Sequence, residues 1–273
     1  MTKRYLTLGT ILLGLIVVLM LGILFMQEPS GDRDWIEDQS HTTYIESTAT
    51  SSLFHNVRDW TYDARGPAEK SWQTVAVDPN AIEQVWFFID YFSPIEGIAH
   101  AFLSFEFTDG TTLVLSIEAR REQDESYSPL YGAFRAYELS YVWSTERDMI
   151  ARRLVAAENP VAMYPLSFTS EEAHQLLQGF IAETNELAET PKFYNTITGN
   201  CMNMLAMRIN QMSPGRLPYG IAWNLPGYAG SYLMRHDLAR ESYDLTPFRE
   251  EIAGVASYDP TAFSSELRAL LPE

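Results

Sequence analysis

The single cysteine of the chain, Cys201, lies in the run Gly199-Asn200-Cys201-Met202-Asn203-Met204-Leu205, where an amphipathic helix begins. A lone cysteine makes no intrachain disulfide and no thiolate zinc cluster. In the first turn of a helix it meets unpaired backbone N–H groups and the positive end of the helix dipole, which favour the thiolate. A thiolate can attack a carbonyl or an oxidant. Acyl chemistry at sulfur also needs a base that takes the thiol proton and returns it to the leaving group. His100 suits that role, and Glu118 would hold the other imidazole nitrogen, as in the serine and cysteine triads. The Cys201 N–H would donate to an oxyanion, with Tyr194 or Asn195 as a second donor. Each residue also has an ordinary reading. A cysteine on an amphipathic helix is commonly core, a strand histidine commonly packs or faces solvent, and Glu118 can pair with Arg120 or Arg121.

Two elements must position these groups. Residues 98–107 and 111–119 flank Thr108-Asp109-Gly110 and form a hairpin. A two-residue Asp109-Gly110 loop mixes polar and apolar residues on both faces. A three-residue loop with Gly110 left-handed pairs Phe107 with Thr111 and sorts them. One face then carries Ala99, Ala101, Leu103, Phe105 and Phe107 with Leu113, Leu115, Ile117 and Ala119. The other carries His100, Phe102, Ser104 and Glu106 with Thr112, Val114, Ser116 and Glu118. A slip of one residue would turn an apolar set to the wrong face, so the three-residue register is preferred. It sets Glu118 across from His100, within pair distance. Glu106, on the same face, is a weaker alternative for orienting the imidazole.

The second element is the cysteine helix. Asn200 is a good N-cap, Met202, Leu205, Ala206, Ile209 and Met212 recur at helical spacing, and Ser213-Pro214-Gly215 stops the run. Its methionines read as core filling. Upstream, Thr169-Ser170-Glu171-Glu172 caps a helix to about residue 188. Strands are expected near 54–62, 72–77, 82–92 and 137–143, and 151–159 reads as strand or helix. Short helices are expected at 248–255 and 260–271. The expected class is α+β, an antiparallel sheet packed against helices. The Gly-, Pro- and aromatic-rich segment 218–232 would roof a cleft, contact the membrane or bind another protein.

The ends and the charge bound the setting. Residues 1–5 form a short tail with Lys3 and Arg4, and 6–26 are apolar, long enough for a bilayer-spanning helix of about 20 residues. Phe25-Met26-Gln27-Glu28-Pro29 is a poor cleavage site, so an uncleaved anchor is preferred to a signal peptide. The basic pair would stay inside, leaving the rest outside an inner membrane, in the periplasm. Residues 27–52 read as a juxtamembrane linker and 53–273 as the folded domain. A net charge of -17 disfavours nucleic acid as a partner. No cofactor is expected, and no metal, since His41, His55, His174 and His236 share no ligand spacing.

Three runs carry a family resemblance: residues 97–107 from Gly97-Ile98-Ala99-His100, residues 116–122 from Ser116-Ile117-Glu118, and residues 194–201 from Tyr194-Asn195-Thr196 to Cys201. Together with Phe134-Arg135-Ala136-Tyr137-Glu138-Leu139 and Leu225-Pro226-Gly227-Tyr228, they resemble the DUF4105 family, the Lnb N-terminal periplasmic domain, over residues 53–265. That family is similar to circularly permuted papain-like or NlpC/P60-like cysteine hydrolases, in which a strand histidine precedes a cysteine at a helix start. The resemblance implies His100 as the histidine and Cys201 as the nucleophile; Glu118 is the choice for polar partner. Family members commonly have Asn-Cys-Thr-Thr, where this chain has Met202 and Asn203 after the cysteine. The implied activity is hydrolysis or acyl transfer on an amide or ester, with an envelope peptide, peptidoglycan or lipid as substrate and amides slightly preferred. The alternative is a non-catalytic envelope scaffold or binding domain with a hydrolase-like fold.

Overall fold

The computed structural model describes residues 26–255 and 260–271, with residues 14, 15 and 22. The expected anchor, 6–26, lies outside the described residues apart from positions 14, 15, 22 and 26. Among the described residues no helix is long and apolar enough to cross a membrane.

The strands are β1 (Tyr44–Ser47), β2 (Ser52–Arg58), β3 (Thr61–Asp63), β4 (Gly66–Glu69), β5 (Trp72–Val77), β6 (Ile82–Asp90), β7 (His100–Phe107), β8 (Thr112–Arg120), β9 (Glu138–Ser144), β10 (Val161–Pro165) and β11 (Tyr243–Asp244). The helices are α1 (Pro129–Gly132), α2 (Glu146–Ala151), α3 (Ser170–Glu189), α4 (Cys201–Met212), α5 (Ala229–Arg235), α6 (Arg249–Val255) and α7 (Pro260–Ala269). A large, mostly antiparallel sheet runs β1-β2-β9-β8-β7-β6-β10-β11, with β5 also on β2. The parallel exception is β2 against β9, through Arg58 and Ser144.

Alternation along β7 and β8 divides the core. Ala101, Leu103, Phe105, Phe107, Leu113, Leu115 and Ile117 face α3, α4 and α5. Phe102 and Val114 face the opposite layer, with Met149, Leu154, Ile252 and Phe263. Fully burying each large apolar side chain stabilises the fold by about 1.5–3 kcal/mol, so helices on both faces protect the whole centre of the sheet. The hairpin register pairs Phe102 with Ser116 and Glu106 with Thr112, the three-residue register expected. Gly110 closes it at φ +83°, a backbone region that disfavours side chains.

Both site-bearing helix layers have local causes. The Thr169 hydroxyl accepts the Glu172 N–H at 3.2 Å, and Glu172 accepts the Thr169 N–H at 2.8 Å, starting α3 with a reciprocal cap. On the other face a π turn, Arg152–Ala156, continues α2 where the sequence left strand and helix open. Residues 27–52, expected as a linker, contribute β1 to the sheet. Their Ser30 and Gly31 N–H groups donate to the two Glu138 oxygens at 2.8 and 2.9 Å. Most polar side chains of this stretch stay exposed, while Trp35, Gln39, Thr43 and Ile45 are buried and hold it to the domain.

Candidate active site

At one end of the sheet β6 and β8 finish while β7 and β9 begin. A cavity of about 450 Å³ opens there, lined among others by His100, Glu118, Cys201, Gln39, Arg153, Tyr194 and Asn224. The three residues expected from the sequence therefore share one cavity wall.

Asn200 starts α4 as expected. Its Oδ1 accepts the N–H groups of Met202 and Asn203, both at 2.9 Å, and Asn203 Oδ1 accepts the Asn200 N–H at 3.4 Å. Asn203 also donates to the Trp223 carbonyl at 2.8 Å. Asparagine at this position thus completes the cap and ties the helix start to the segment beyond it. The cap leaves the Cys201 N–H unused. Of the two second donors considered, Tyr194 lines the cavity, whereas the Asn195 side chain accepts from the Ile197 and Thr198 N–H groups through Oδ1 and donates from Nδ2 to the Ala133 carbonyl at 3.3 Å.

The expected thiolate is not the resting state. Cys201 is 7% exposed, and burial pushes its thiol up to about 11. The N–H groups of Ala101, Met202 and Cys201 pull the other way, and the Glu118 charge opposes them. Desolvation therefore outweighs the helix terminus. The Ala101 N–H bears on the sulfur, so the thiol sits within one peptide unit of His100.

His100 does not bond directly to Glu118. Its Nε2 lies 4.0 Å from Glu118 Oε1 but 2.7 Å from Ser116 Oγ, and Ser116 donates to Glu118 Oε1 at 2.8 Å. Because the serine proton goes to the carboxylate, the serine oxygen accepts from Nε2–H. This direction assigns the tautomer and leaves Nδ1 unprotonated. Burial first, then the Arg153 guanidinium, pushes the imidazole down to about 3. Imidazole and thiol are both neutral at neutral pH. Among the described residues no hydrogen bond joins them, and alternation turns His100 towards Arg153 while Cys201 packs by Ala101 and Leu205.

Glu118 is the most heavily partnered group. Gln39 Nε2 donates to its Oε2 at 2.7 Å, and Arg153 NH2 to its Oε1 at 3.2 Å. Burial would raise its pKa, but Arg153, then Arg152 and His100, hold the carboxyl well below the usual range. Arg153 also lies 3.2 Å from Asp90, which Asn159 bonds at 2.8 Å. Glu106 is at the other end of β7, taking the Trp86 indole N–H at 2.6 Å and Arg268 at 3.2 Å, and does not reach His100.

Sequence reasoning therefore missed Ser116, Gln39 and Arg153 as members of the site. The hairpin register contained the signal for Ser116, which shares the face of His100 and Glu118. Gln39 and Arg153 come from segments 79 and 35 residues away from Glu118 and leave no local signature. Among the described residues no group of three or more His, Cys, Asp or Glu side chains could hold a metal ion.

A family model described as the Lnb N-terminal periplasmic domain matches residues 68–224, more than half of the chain and all of His100, Ser116, Glu118 and Cys201. No curated protein and no solved structure matches the chain.

Proposed function

Because the chain belongs to the Lnb N-terminal periplasmic domain family, we propose that it is a periplasm-facing cysteine hydrolase or acyltransferase, held to the inner membrane by residues 6–26 and related in fold to circularly permuted papain-like enzymes. The observation that carries the reading is one cavity shared by the only thiol, at a helix start, and by an imidazole held in a defined tautomer.

In this reading Cys201 Sγ attacks the carbonyl carbon of an amide or ester. As the S–C bond forms, the thiol proton passes to Nδ1 of His100, which requires the sulfur to turn from the Ala101 N–H towards the ring. Proton transfer accompanies attack, since both partners rest neutral. The oxyanion is held by the Cys201 N–H. His100 then protonates the departing nitrogen or oxygen, the C–N or C–O bond breaks, and a thioester remains on Cys201. Water or an acceptor amine attacks the thioester with His100 as base, releasing the acid or the new amide and restoring the thiol. Glu118, through Ser116, favours the ring orientation and stabilises its transient charge.

The test is intact-mass analysis of the full chain after incubation with detergent-solubilised envelope extract. The expected result is a hydroxylamine-labile adduct on Cys201, absent in Cys201→Ala and much reduced in His100→Ala. A second reading, a binding domain that retains a hydrolase-like fold, is favoured by the buried, up-shifted thiol. It predicts no adduct, and iodoacetamide labelling of Cys201 only after unfolding.

A further inference from the structure

We propose that the rim of the cavity docks on the surface of a lipid bilayer. Phe92, Pro129 and Thr196 line the cavity, and large exposed apolar side chains stand at or within five residues of them along the chain: Phe92 41%, Ile95 61%, Leu130 65%, Tyr131 61%, Phe134 50% and Ile197 59%. They belong to the loops after β6 and β8, which leave the same end of the sheet, and to the loop that joins α3 to α4. The loops are joined into one surface. Phe92 meets Tyr127 edge-on at 6.4 Å, and Tyr127 meets Tyr194 at 6.5 Å. The Thr196 hydroxyl donates to the Pro129 carbonyl at 2.8 Å and its N–H to the Gly132 carbonyl at 3.3 Å, fixing Ile197 beside α1. Apolar area of this extent rimming a cavity marks an interaction surface.

The occupant is indicated by where the chain comes from. Ser30 and Gly31 are hydrogen-bonded to Glu138, the first residue of β9, at 2.8 and 2.9 Å. Met26, the last residue of the apolar stretch, is four residues upstream of Ser30, hence within about 14 Å of it. Phe134 is four residues before Glu138 and obeys the same limit. The exit of the apolar stretch and the rim thus lie around one carboxylate. A chain embedded through residues 6–26 brings this end, not the β7–β8 turn, to the bilayer. The net charge of -17 makes the contact an apolar one, independent of anionic lipid.

The inference rests on the anchoring part of the proposed function and not on catalysis. The experiment uses the full chain with Cys201→Ala and one added cysteine, by Leu130→Cys, Phe134→Cys or, at the exposed start of β6, Glu83→Cys. Each is labelled with an environment-sensitive fluorophore and reconstituted into phosphatidylcholine vesicles with or without acyl-brominated lipid. Flotation with the vesicles reports the anchor, and quenching reports the rim. The expected result is flotation of all three, with at least twofold quenching at 130 and 134 and none at 83. Flotation with 130 and 134 no more quenched than 83 overturns the docking alone. Shielding from an aqueous quencher without bromolipid quenching also overturns it, by showing another protein copy on the rim. Failure to float overturns docking and anchor together.

Discussion

Ser116→Ala isolates the link between His100 and Glu118. Ser116 is fully buried, and its oxygen sits 2.7 Å from His100 Nε2 and 2.8 Å from Glu118 Oε1. Alanine removes both bonds, and the remaining 4.0 Å separation is too long for a direct one. The ring loses its acceptor and the carboxylate one donor. A hydrogen bond to a charged group contributes about 1.5–3 kcal/mol, and stranding a buried N–H costs about as much again, partly relieved because Glu118 keeps Gln39 and Arg153. The net expectation is a loss of about 2–3 kcal/mol, read from the urea midpoint with unchanged slope. Ring nitrogen shifts of His100 should show a pure Nε2–H tautomer in the native protein and a mixture in Ser116→Ala. Ser116→Thr, which keeps the hydroxyl, should restore the tautomer. A pure Nε2–H ring in Ser116→Ala, with stability within about 0.5 kcal/mol of the parent, refutes the relay; the lower figure is that of an inconsequential substitution.

Three further outcomes follow from the same network. His100 is held at about 3 against an ordinary 6.5, so stability is full above 6.5 and declines as pH falls towards 3, with a ceiling of about 5 kcal/mol. Glu118, held low, adds a loss that begins only below its ordinary value of 4.5; urea midpoints that stay flat between pH 6.5 and 4.5 would contradict the His100 contribution. Arg153→Met leaves Asp90 and Glu118 buried without their shared cation and should cost about 3–5 kcal/mol. It should also raise the His100 titration seen by NMR, whereas an unmoved titration assigns the shift to burial alone. Gln39→Ala removes the 2.7 Å bond to Glu118 and the acceptor of the Arg121 N–H at 3.0 Å, at a cost of about 1–3 kcal/mol. Limited proteolysis should then cut within residues 30–47 sooner than in the parent, and equal cutting would show that this segment is held without Gln39.

Local chemistry was legible and long-range chemistry was not. The β7–β8 register follows from side-chain alternation and one glycine, and the cap of α4 from Asn200, because each is decided within a few residues. The parallel contact of β2 with β9 and the delivery of Arg153 through a π turn depend on packing between distant segments. The ionisation of Cys201 was misread for a related reason. A helix terminus can be read from sequence, but the low-polarity enclosure that outweighs it is assembled from several elements. Residues 27–52 look like a linker because most of their polar side chains are exposed, and the few buried residues that tie them down, Trp35, Gln39, Thr43 and Ile45, are too sparse to form a pattern.

The strap formed by residues 30–47 carries a consequence for the timing of folding. Residues 44–47 pair at once with β2, but two partners of its earlier part come late: Gln39 waits for Glu118, 79 residues on, and Ser30 for Glu138, 108 residues on. At a synthesis rate of about 5–20 residues per second, the segment nearest the N-terminus is made roughly 5–20 s before Glu138 exists. Until Glu118 is made neither carboxylate is there to bind, and Ser30 and Gly31 wait 20 residues longer for Glu138. The start of the domain thus has to wait for the middle of the chain before it can dock, and Cys201, on the same cavity, is made 63 residues later still.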